Sequence, residues 1–546
     1  MKIKELFEKD EPITLENYLT KCGVENVEEY LNPSGKYLEP PMLYDNMQEA
    51  INVTKYHINL GSIIGIVTDC DQDGYSSASI LYRELKLLYP NCVIKLFLHD
   101  DRKIHGLTDE IMFDKILHSG VELLFTPDSS SSDFKQHKIL KEHNIYHIAL
   151  DHHPFIPQDT TSIVVNNQVS DRVTNKCGSG GLVTFKFCQR LEQEYNKNYT
   201  KDMVDLCYTS LVSDIMDMSN IENAVFRKFG SHIHNKMLVA LCDKYNKGIV
   251  DVTNEQMSWN IVPKLSAIIR SQREDVKQSL LMALITEQDN YIQYVMDNAD
   301  DIHKEQKKIV ENYYKEYLQN VNGDNNIIFE PIDIYPFYTG LVGSKLVNQF
   351  NKPTILYRES KNGYIGSVRS PIDIKQPLID SELFTFASGH DKSCGCGFTS
   401  DNIDKIKDFV KNFKVDASEK VTQSYLTDKI PNDLFSLTSE YDYVWGNGIP
   451  KPNFYIHSIH INSSQIKELG NGLTIKFTYQ GVDFIHFFTS NKLKEELYMD
   501  KPTKIILNVV GTLDWNVWKD KKTKQVIMDK IECEVDNKTL SFEDLF

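Results

Sequence analysis

Three acidic side chains alternate along one short stretch of the sequence, in a pattern suited to binding a metal ion. Asp69, Asp71 and Asp73 follow the apolar run 63–68 and precede Gly74. The run is short and rich in β-branched residues, which predicts a buried strand. Three carboxylates this close repel one another, and a cation with hard oxygen ligands would neutralise them. A loop that exposes its acids to solvent is the alternative.

The EF-hand calcium loop begins with similar acids but does not fit this stretch. An EF-hand loop lies between two helices and ends in a glutamate at its twelfth position. Here a predicted strand precedes the acids, a predicted helix follows over 76–87, and Ile80 occupies the twelfth position. The acids therefore lie on a turn between a strand and a helix.

Acids and histidines also follow two later strands of the predicted sheet. The predicted strands are 63–68, 92–98, 121–126, 145–150 and 162–165, with helices between several of them. This alternation is typical of a mostly parallel, doubly wound sheet, where ligands bind beyond the carboxyl ends of the strands. Asp128 follows the third strand, and the run Asp151–His153 follows the fourth. We therefore expect these side chains to meet the alternating acids at one edge of the sheet.

A further acid lies on a predicted helix. The pattern over 201–218 predicts a helix that places Asp214 on the same face as Leu211 and Cys207. A carboxylate on an apolar face is costly unless it is paired or bound to a metal. Asp214 is therefore a further predicted ligand, whereas Asp217 is interpreted as structural.

Basic and flexible residues gather in a second region, 327–415, which restarts with strands. Arg369 follows a predicted strand there, and Gly389 and His390 come later. An arginine, a histidine and glycines with free amides form a plausible site for a phosphodiester. Arg270, on an earlier helix, is either a further phosphate contact or a solvated surface arginine.

Two other motifs have competing interpretations. The glycine-rich run 178–181 is interpreted as a tight loop at a helix start rather than a phosphate cradle. Cys394 and Cys396 with His390 form an alternative zinc site. A structural zinc site needs a fourth ligand and usually wider cysteine spacing, which argues against it.

Composition limits the class of protein. The chain has 546 residues, a net charge of −17 and ten scattered cysteines, which predicts several domains and a reducing compartment. No apolar run approaches the roughly 20 residues that span a bilayer, and the first ten residues lack an apolar signal core. We expect a cytoplasmic protein without a membrane partner. A nucleic-acid partner would need a local basic channel.

The sequence predicts six consecutive segments. The predicted segments are a helical lead-in at 1–60, a catalytic domain at 61–230, a helical region with a bridging helix at 231–325, a substrate-binding domain at 326–415, a linker at 416–450 and a β-rich domain at 451–546. The last segment carries five predicted strands and suggests a small barrel of the oligonucleotide-binding (OB) type. Trp515 and Trp518 are its best candidates for stacking on bases.

These motifs resemble the DHH phosphoesterase superfamily, and within it the RecJ-like single-strand-specific exonucleases. The residues that carry the resemblance are Asp69-x-Asp71-x-Asp73-Gly74, Asp128, Asp151-His152-His153, Asp214, Gly340-Leu341-Val342-Gly343, Gly366-Ser367-Val368-Arg369-Ser370 and Ser388-Gly389-His390. The implied fold class is α/β: a DHH parallel-sheet domain joined by a long helix to a smaller α/β DHHA1 domain, followed by an OB-like β-barrel.

The resemblance implies a metal-dependent exonuclease acting on single-stranded DNA, 5′ to 3′, releasing mononucleotides in DNA repair, recombination or replication. It implies two ions, Mn²⁺ or Mg²⁺, with the ligands Asp69, Asp71, Asp73, Asp128, His152 and Asp214. The implied catalytic residues are His153 at the scissile phosphate or the leaving oxygen, Asp151 as the acid that orients a histidine, and Asp128 as the bridge between ions. The implied substrate contacts are Arg369, Ser367, His390, Gly389, Arg270 and Arg102. The acidic charge makes a single-strand-binding protein or a helicase an attractive partner.

Three other functions fit parts of the pattern. One is a DHH phosphodiesterase for short oligonucleotides or cyclic dinucleotides, which the barrel and bridging helix disfavour. Another is a non-enzymatic single-strand-binding scaffold, which lost ligands would favour; no ligand is lost. The third is an inorganic pyrophosphatase, whose branch carries a histidine where this chain has Asp69.

Overall fold

A computed structural model describes residues 1–99, 105–320, 325–360, 363–414, 418–470, 472–518 and 521–536. The predicted substrate contact Arg102 lies outside these residues. The chain forms two compact units: unit 1 comprises residues 1–32, 217–219 and 416–546, and unit 2 comprises 33–216 and 220–415. None of the helices in the described part combines the length and hydrophobicity needed to cross a bilayer.

The helices and strands follow one another in the order expected of an α/β chain with a β-rich end. The strands are β1 (Lys2–Glu5), β2 (Ile64–Thr68), β3 (Ile94–Leu98), β4 (Leu123–Pro127), β5 (Tyr146–Asp151), β6 (Ile163–Asn166), β7 (Ile328–Pro331), β8 (Thr354–Ser360), β9 (Gly363–Arg369), β10 (Phe386–His390), β11 (Ser393–Phe398), β12 (Ser418–Val421), β13 (Gln423–Leu426), β14 (Asn453–Asn462), β15 (Lys467–Leu469), β16 (Thr474–Tyr479), β17 (Val482–Phe487), β18 (Lys504–Trp518) and β19 (Lys521–Val535). The α-helices are α1 (Leu15–Lys21), α2 (Val27–Leu31), α3 (Met47–Leu60), α4 (Gln72–Leu88), α5 (Phe134–Glu142), α6 (Gly180–Gln193), α7 (Val204–Ser213), α8 (Ile221–Gly230), α9 (Lys236–Tyr245), α10 (Asn254–Gln256), α11 (Val262–Ile269), α12 (Glu274–Thr286), α13 (Asp289–Asn320), α14 (Thr339–Phe350), α15 (Lys375–Asp380), α16 (Ile403–Asn412), α17 (Asn432–Glu440) and α18 (Asn491–Glu496).

The first sheet of unit 2 has the parallel arrangement predicted from the sequence. Its strand order is β3-β2-β4-β5-β6, with every neighbouring pair parallel. Strands β2 and β4 are buried along their whole length, as their apolar sequences require. Because all five strands run the same way, their carboxyl ends meet at one edge of the sheet.

A long helix leads from this sheet to a second one in unit 2. Helix α13 runs through 32 residues, and the sheet that follows has the order β10-β11-β9-β8-β7. Helix α14 packs against β8 and β9. One face of this sheet is covered by a core that contains Val368, Cys394 and Cys396. The opposite face, which carries Leu356, packs in a separate core.

Unit 1 is built around a seven-stranded sheet. The strand order is β13-β14-β18-β19-β17-β16-β15, and its buried core includes Phe454, Phe477 and Phe484. The stretch 416–450, predicted as a linker, instead carries β12, β13 and α17, and Phe435 of α17 is fully buried in the core. Residues 1–32 group with this unit, because β1 pairs with β12. The predicted domain boundaries otherwise stay a prediction.

Trp515 contributes to the core of unit 1 rather than to an open stacking surface. Its ring packs against the buried cluster, its indole N–H donates to Ser436 Oγ at 3.1 Å, and the Lys522 ammonium lies 4.4 Å from its ring centre. A base could not stack on the covered face without displacing that lysine. The prediction of Trp515 as a stacking residue is therefore not supported.

The helix predicted over 201–218 is shorter than expected. Helix α7 ends at Ser213, and Ile215 adopts a left-handed backbone with φ of 55°. The Met216 N–H donates to the Leu211 carbonyl and the Ile215 N–H to the Val212 carbonyl. These two bonds form a Schellman cap, which usually carries a glycine at the left-handed position. An isoleucine there gives no sequence signal, so the end of the helix was predicted wrongly.

One buried carboxyl group in unit 2 lowers stability at neutral pH. Glu84 of α4 is fully buried, and neither of its carboxyl oxygens has a hydrogen-bond partner among the described residues. Burial, together with the charge of Glu192, raises the pKa of Glu84 to about 8. The unfolded chain ionises this group near its ordinary pKa of about 4.3. Stability is therefore lost as the pH rises from about 4.5 to 8.

We expect Glu84→Met to stabilise the protein at pH 8, by on the order of 3 kcal/mol. The gain shrinks at pH 4, where the carboxyl is neutral in both states. Denaturant unfolding at the two pH values measures the difference. Glu192→Gln is the matched control and should destabilise, because Glu192 accepts hydrogen bonds from Tyr199 and Thr200. An equal effect of Glu84→Met at both pH values would contradict this explanation.

Candidate metal centre

Three predicted acidic ligands surround one imidazole nitrogen, that of the predicted ligand His152. His152 Nε2 lies 3.3 Å from Asp128 Oδ1, 3.3 Å from Asp214 Oδ2 and 3.8 Å from Asp73 Oδ2. A second group joins it through Asp128, whose carboxylate lies within 4.8 Å of those of Asp69 and Asp71. The six predicted ligands thus form one continuous cluster, although their roles stay a prediction. We call this set the acid–histidine cluster. Its members are Asp69, Asp71, Asp73, Asp128, His152 and Asp214.

The chemistry of this cluster fits a bound cation. Asp128 and His152 are almost fully buried. Asp128 Oδ1, His152 Nε2 and Asp214 Oδ2 have no hydrogen-bond partner among the described residues. Buried polar atoms without partners are costly. Carboxylate oxygens and a neutral imidazole are the ligands that manganese and similar divalent cations accept.

The charges in the cluster lead to the same conclusion. Burial and the neighbouring Asp73 and Asp71 hold the pKa of Asp128 well above its ordinary value. Burial, with Asp214 and Asp71, raises the pKa of Asp73 to about 7. Burial and repulsion from His153 lower the pKa of His152 to about 4, which keeps the imidazole neutral and able to ligate. A divalent cation would relieve the repulsion among the acids.

The N-terminus of helix α6 fixes the position of Asp73. The Gly180 and Gly181 N–H groups donate to its two carboxylate oxygens at 2.8 and 2.9 Å. Ser210 Oγ donates to the same carboxylate. The glycine-rich run is therefore a tight helix start, as predicted, but its amides hold an acid of the cluster.

Helix α6 also approaches Asp128 so closely that position 180 requires glycine. A Cβ atom at Gly180 would lie 2.4 Å from Asp128 Oδ1 and 2.7 Å from Asp128 Cα. Asp128 itself adopts a left-handed backbone with φ of 68°. This conformation turns the chain just after β4 and costs energy in a non-glycine residue. The backbone strain at Asp128 is therefore retained in the fold, because this conformation places the Asp128 carboxylate next to His152.

Asp151 organises the turn that carries the two histidines. Its Oδ1 accepts hydrogen bonds from the His152 and His153 N–H groups and from His153 Nδ1, at 2.7, 3.1 and 2.8 Å. Its Oδ2 accepts from the Ser131 N–H at 3.0 Å. Burial alone would lower the pKa of His153, but the Asp151 carboxylate raises it to about 9. His153 is therefore a cation at neutral pH, lying next to the cluster.

Two residues near Asp69 were missed by the sequence analysis. His105 Nδ1 lies 2.5 Å from Asp69 Oδ2, and the Gly106 N–H donates to Asp69 Oδ1 at 3.0 Å. The Cys70 thiol lies 3.8 Å from the same His105 nitrogen. Neither His105 nor Gly106 belongs to a motif that the sequence analysis recognised.

Two predicted substrate contacts form a pair of arginines close to the cluster. Burial, together with repulsion from Arg270, lowers the pKa of Arg369 to about 10. Burial also lowers the pKa of Arg270, while the nearby Asp71 opposes the shift. Neither guanidinium forms an ion pair with a described carboxylate within 4 Å. Arg270 is half-buried rather than fully solvated, and its role as a phosphate contact stays a prediction.

Helix α14 makes room for Arg369. A Cβ atom at Gly340 would lie 2.2 Å from Arg369 Nη2 and 2.8 Å from Arg369 Cζ. The glycines of the run 340–343 thus let the guanidinium lie against the start of the helix. The side chain is held further by a hydrogen bond from Nη1 to the Val368 carbonyl at 2.7 Å.

The remaining substrate contacts lie on neighbouring strands of the second sheet. Arg369 pairs with Ser393 in the sheet, and Ser393 pairs with His390. Ser367, two residues before Arg369, projects to the same side because strand side chains alternate. His390 Nε2 lies 3.2 Å from Asp214 Oδ1, so it reaches the acid–histidine cluster. Gly389 contributes a carbonyl that accepts from Lys375.

The alternative zinc site at Cys394 and Cys396 is wrong. Both thiols are buried in the core on the face of the sheet that carries Val368, whereas His390 reaches Asp214. Within the described ranges these cysteines join no group of three metal-ligating side chains.

Comparison with known proteins agrees with this arrangement. The family profile described as "DHH family, N-terminal domain" matches residues 63–211, and the profile "RecJ OB domain" matches residues 429–530. The chain contains a DHH domain and a RecJ-type OB domain. YorK from the SPβ prophage of Bacillus subtilis, which carries the provisional name of a single-strand DNA-specific exonuclease, is 26% identical over 95% of this chain and 96% of its own length.

Less similar proteins match over nearly the same length of the chain. The single-stranded-DNA-specific exonuclease RecJ of Bacillus subtilis is 22% identical over 93% of this chain and 66% of its own length. The crystal structure of RecJ from Thermus thermophilus in complex with Mn²⁺ has a TM-score of 0.75 at 18% identity, covering 94% of this chain and 75% of that chain. The Mg²⁺ complex of the same protein has a TM-score of 0.69 at 17% identity, covering 94% of this chain and 74% of that chain. The resemblance to RecJ and the fold class predicted from the sequence are thereby confirmed.

Proposed function

We propose that the chain is a divalent-metal-dependent exonuclease that hydrolyses single-stranded DNA. The observation that carries this proposal is the acid–histidine cluster, with three buried polar atoms left without partners among the described residues. The names of the relatives, single-strand-specific exonucleases, support the choice of substrate. The Mn²⁺ and Mg²⁺ complexes of RecJ from Thermus thermophilus support these two ions as cofactors.

The cluster would hold two ions, with Asp128 between them. His152, Asp73 and Asp214 would bind one ion, and Asp69 and Asp71 the other. Asp128 would contact both, because its Oδ1 lies 3.3 Å from His152 Nε2 and its carboxylate lies within 4.8 Å of those of Asp69 and Asp71. Divalent ions held by these residues would supply activation of a water molecule and stabilise negative charge on the oxygens of the phosphodiester.

Several residues of this chain would bind the phosphates of the DNA strand. The protonated His153 would donate a hydrogen bond to the scissile phosphate, with Asp151 fixing the ring. Arg369 and Arg270 would each contact a phosphate, because half-buried guanidinium groups without a described carboxylate partner favour an anion. His390, Ser367 and Gly389 would line the neighbouring part of the strand path.

Several finer points belong to the same proposal. We expect cleavage from the 5′ end with release of mononucleotides, and a role in DNA repair, recombination or replication. A cytoplasmic location and a single-strand-binding protein or helicase as partner stay predictions. The OB domain would bind single-stranded DNA.

Degradation of end-labelled oligonucleotides tests the proposal. A long single strand, its duplex and a dinucleotide are incubated with Mn²⁺, with Mg²⁺ and with chelator. We expect mononucleotides from the 5′ end of the single strand only, and none with chelator. Hydrolysis of the dinucleotide alone would assign the chain to the phosphodiesterases of short substrates. Binding without hydrolysis would make it a scaffold.

We expect Arg369→Ala to raise KM for single-stranded DNA about a hundredfold, with a much smaller change in kcat. The change removes one of two guanidinium groups that would bind phosphate in a desolvated site. Steady-state kinetics at saturating Mn²⁺ measure both constants. Arg273→Ala is the matched control, because Arg273 forms an exposed ion pair with Asp275. Equal KM values for the two variants would remove Arg369 from the proposed strand path.

A further inference from the structure

The DHH sheet edge carries a group of ligands with softer character than the acid–histidine cluster. A carboxylate oxygen of Asp69, the Cys70 Sγ atom and a ring nitrogen of His105 all lie within 4.8 Å of one another. The pattern Asp-Cys-Asp at 69–71 places the thiol directly between two acids. His105 comes from a segment further along the chain, so the fold itself brings the three groups together.

We propose that Asp69, Cys70 and His105 form a binding site for zinc or a similar borderline-soft divalent cation. Thiolate and imidazole ligands select such ions over Mn²⁺ and Mg²⁺, which prefer oxygen. Three protein ligands and one water complete a tetrahedral zinc site. We call these three residues the thiol site.

The distances fit this assignment. A tetrahedral zinc ion with ordinary bonds to sulfur and nitrogen separates those two atoms by about 3.6 Å. Cys70 Sγ and His105 Nδ1 are 3.8 Å apart. The 2.5 Å contact between His105 Nδ1 and Asp69 Oδ2 is a hydrogen bond and must lengthen by about 0.9 Å to admit the ion.

The surroundings permit entry and the required movement. The His105 side chain is 47% exposed, so an ion can reach the site from solvent and the ring can move. Cys70 is buried, with its thiol close to that ring. Binding displaces the thiol proton and the proton between His105 and Asp69, and both pass to the buffer.

Occupation of the thiol site would inhibit hydrolysis. Asp69 belongs both to the thiol site and to the carboxylate group with Asp71 and Asp128. An ion held by Cys70 and His105 draws the Asp69 carboxylate away from that group. This consequence rests on the proposed nuclease function, whereas the binding itself does not.

Cobalt binding tests the site independently of any nuclease activity. Co²⁺ is titrated anaerobically into the reduced full-length protein, and thiolate-to-cobalt charge-transfer absorption is followed. We expect this band in the wild type and in Cys92→Ser, a control whose half-buried thiol donates to the Leu85 carbonyl. The band should disappear in Cys70→Ser, and Zn²⁺ should abolish it in the wild type. No band, or a band that survives in Cys70→Ser, would overturn the proposal.

Zinc affinity and inhibition complete the test. Competition with a chromophoric chelator should show at least about a tenfold loss of Zn²⁺ affinity in Cys70→Ser and in His105→Ala. Zn²⁺ inhibition of Mn²⁺-dependent hydrolysis, measured against each variant's own zinc-free rate, should weaken in parallel. Cobalt binding without hydrolysis in any form would refute the nuclease and leave the thiol site intact. Equal zinc affinity in all variants would refute the site.

Discussion

Asp128→Asn should reduce hydrolysis of single-stranded DNA by at least about a thousandfold. Asp128 lies within ligand distance of His152 on one side and of Asp69 and Asp71 on the other. The asparagine has the same shape but lacks the charge and one of the oxygen ligands that would join two ions. The rate at saturating Mn²⁺, measured under single-turnover conditions, gives the loss directly.

In the absence of metal, Asp128→Asn should have a higher thermal stability than the wild type. The raised pKa of Asp128 reports burial and repulsion from Asp73 and Asp71, and the substitution removes one of the repelling charges. Thermal unfolding with chelator should therefore show a higher midpoint for Asp128→Asn. Added Mn²⁺ should stabilise the wild type much more than the variant.

A surface acid provides the control for this experiment. Asp109→Asn removes a charge that is exposed and paired with Lys135, and it should leave both the rate and the Mn²⁺-induced stabilisation unchanged. Loss of activity in Asp128→Asn with a lower midpoint and lost structure would indicate misfolding instead. Full activity in a folded Asp128→Asn would exclude this residue from the centre.

Gly180→Ala should weaken Mn²⁺ binding about 10- to 100-fold and slow hydrolysis about a hundredfold. The new methyl group would lie 2.7 Å from Asp128 Cα and 2.4 Å from its carboxylate. Backbone atoms are involved, so either helix α6 or the strained turn at Asp128 must move. The movement also lengthens the hydrogen bond from the Gly180 N–H to Asp73.

A second glycine of the same run provides a matched control. In Gly178→Ala the nearest atoms would be side-chain ends of Asn167 and Leu182, both at 3.2 Å, and these can shift by a few tenths of an ångström. We expect its Mn²⁺ dissociation constant and rate to stay close to those of the wild type. If both variants lost Mn²⁺ affinity and hydrolysis rate to a similar extent, the glycine-rich run would stabilise the fold in general rather than position the ligands of the candidate metal centre.

The sequence predicted which residues meet in the acid–histidine cluster, because most of them lie directly after strands of a parallel sheet. Parallel strands bring their carboxyl ends to one edge, so Asp69, Asp128 and His152 had to converge once the strands were recognised. Asp214 was selected for its apolar helix face, yet it lies just beyond the helix, at a Schellman cap. Asp214 lies in the cluster as predicted, although the predicted length of its helix was wrong.

The supporting contacts could not be predicted in the same way. Gly180 and Gly181 donate hydrogen bonds to Asp73 from a distant part of the sequence. His105 forms a hydrogen bond with Asp69 from another separate segment. Such contacts depend on how loops fold back and leave no periodic pattern. The stretch 416–450 was predicted as a linker for the same reason, because its elements are short and Phe435 is buried only by the assembled sheet of unit 1.

Manganese binding and hydrolysis measured on the same sample test the central claim most directly. Free Mn²⁺ is followed by electron paramagnetic resonance during a titration, and single-turnover hydrolysis of a single-stranded oligonucleotide is measured at each point. We expect two equivalents to bind and the rate to follow occupancy of the second. Hydrolysis that persists with chelator, or that proceeds without bound Mn²⁺ or Mg²⁺, would contradict a two-metal nuclease.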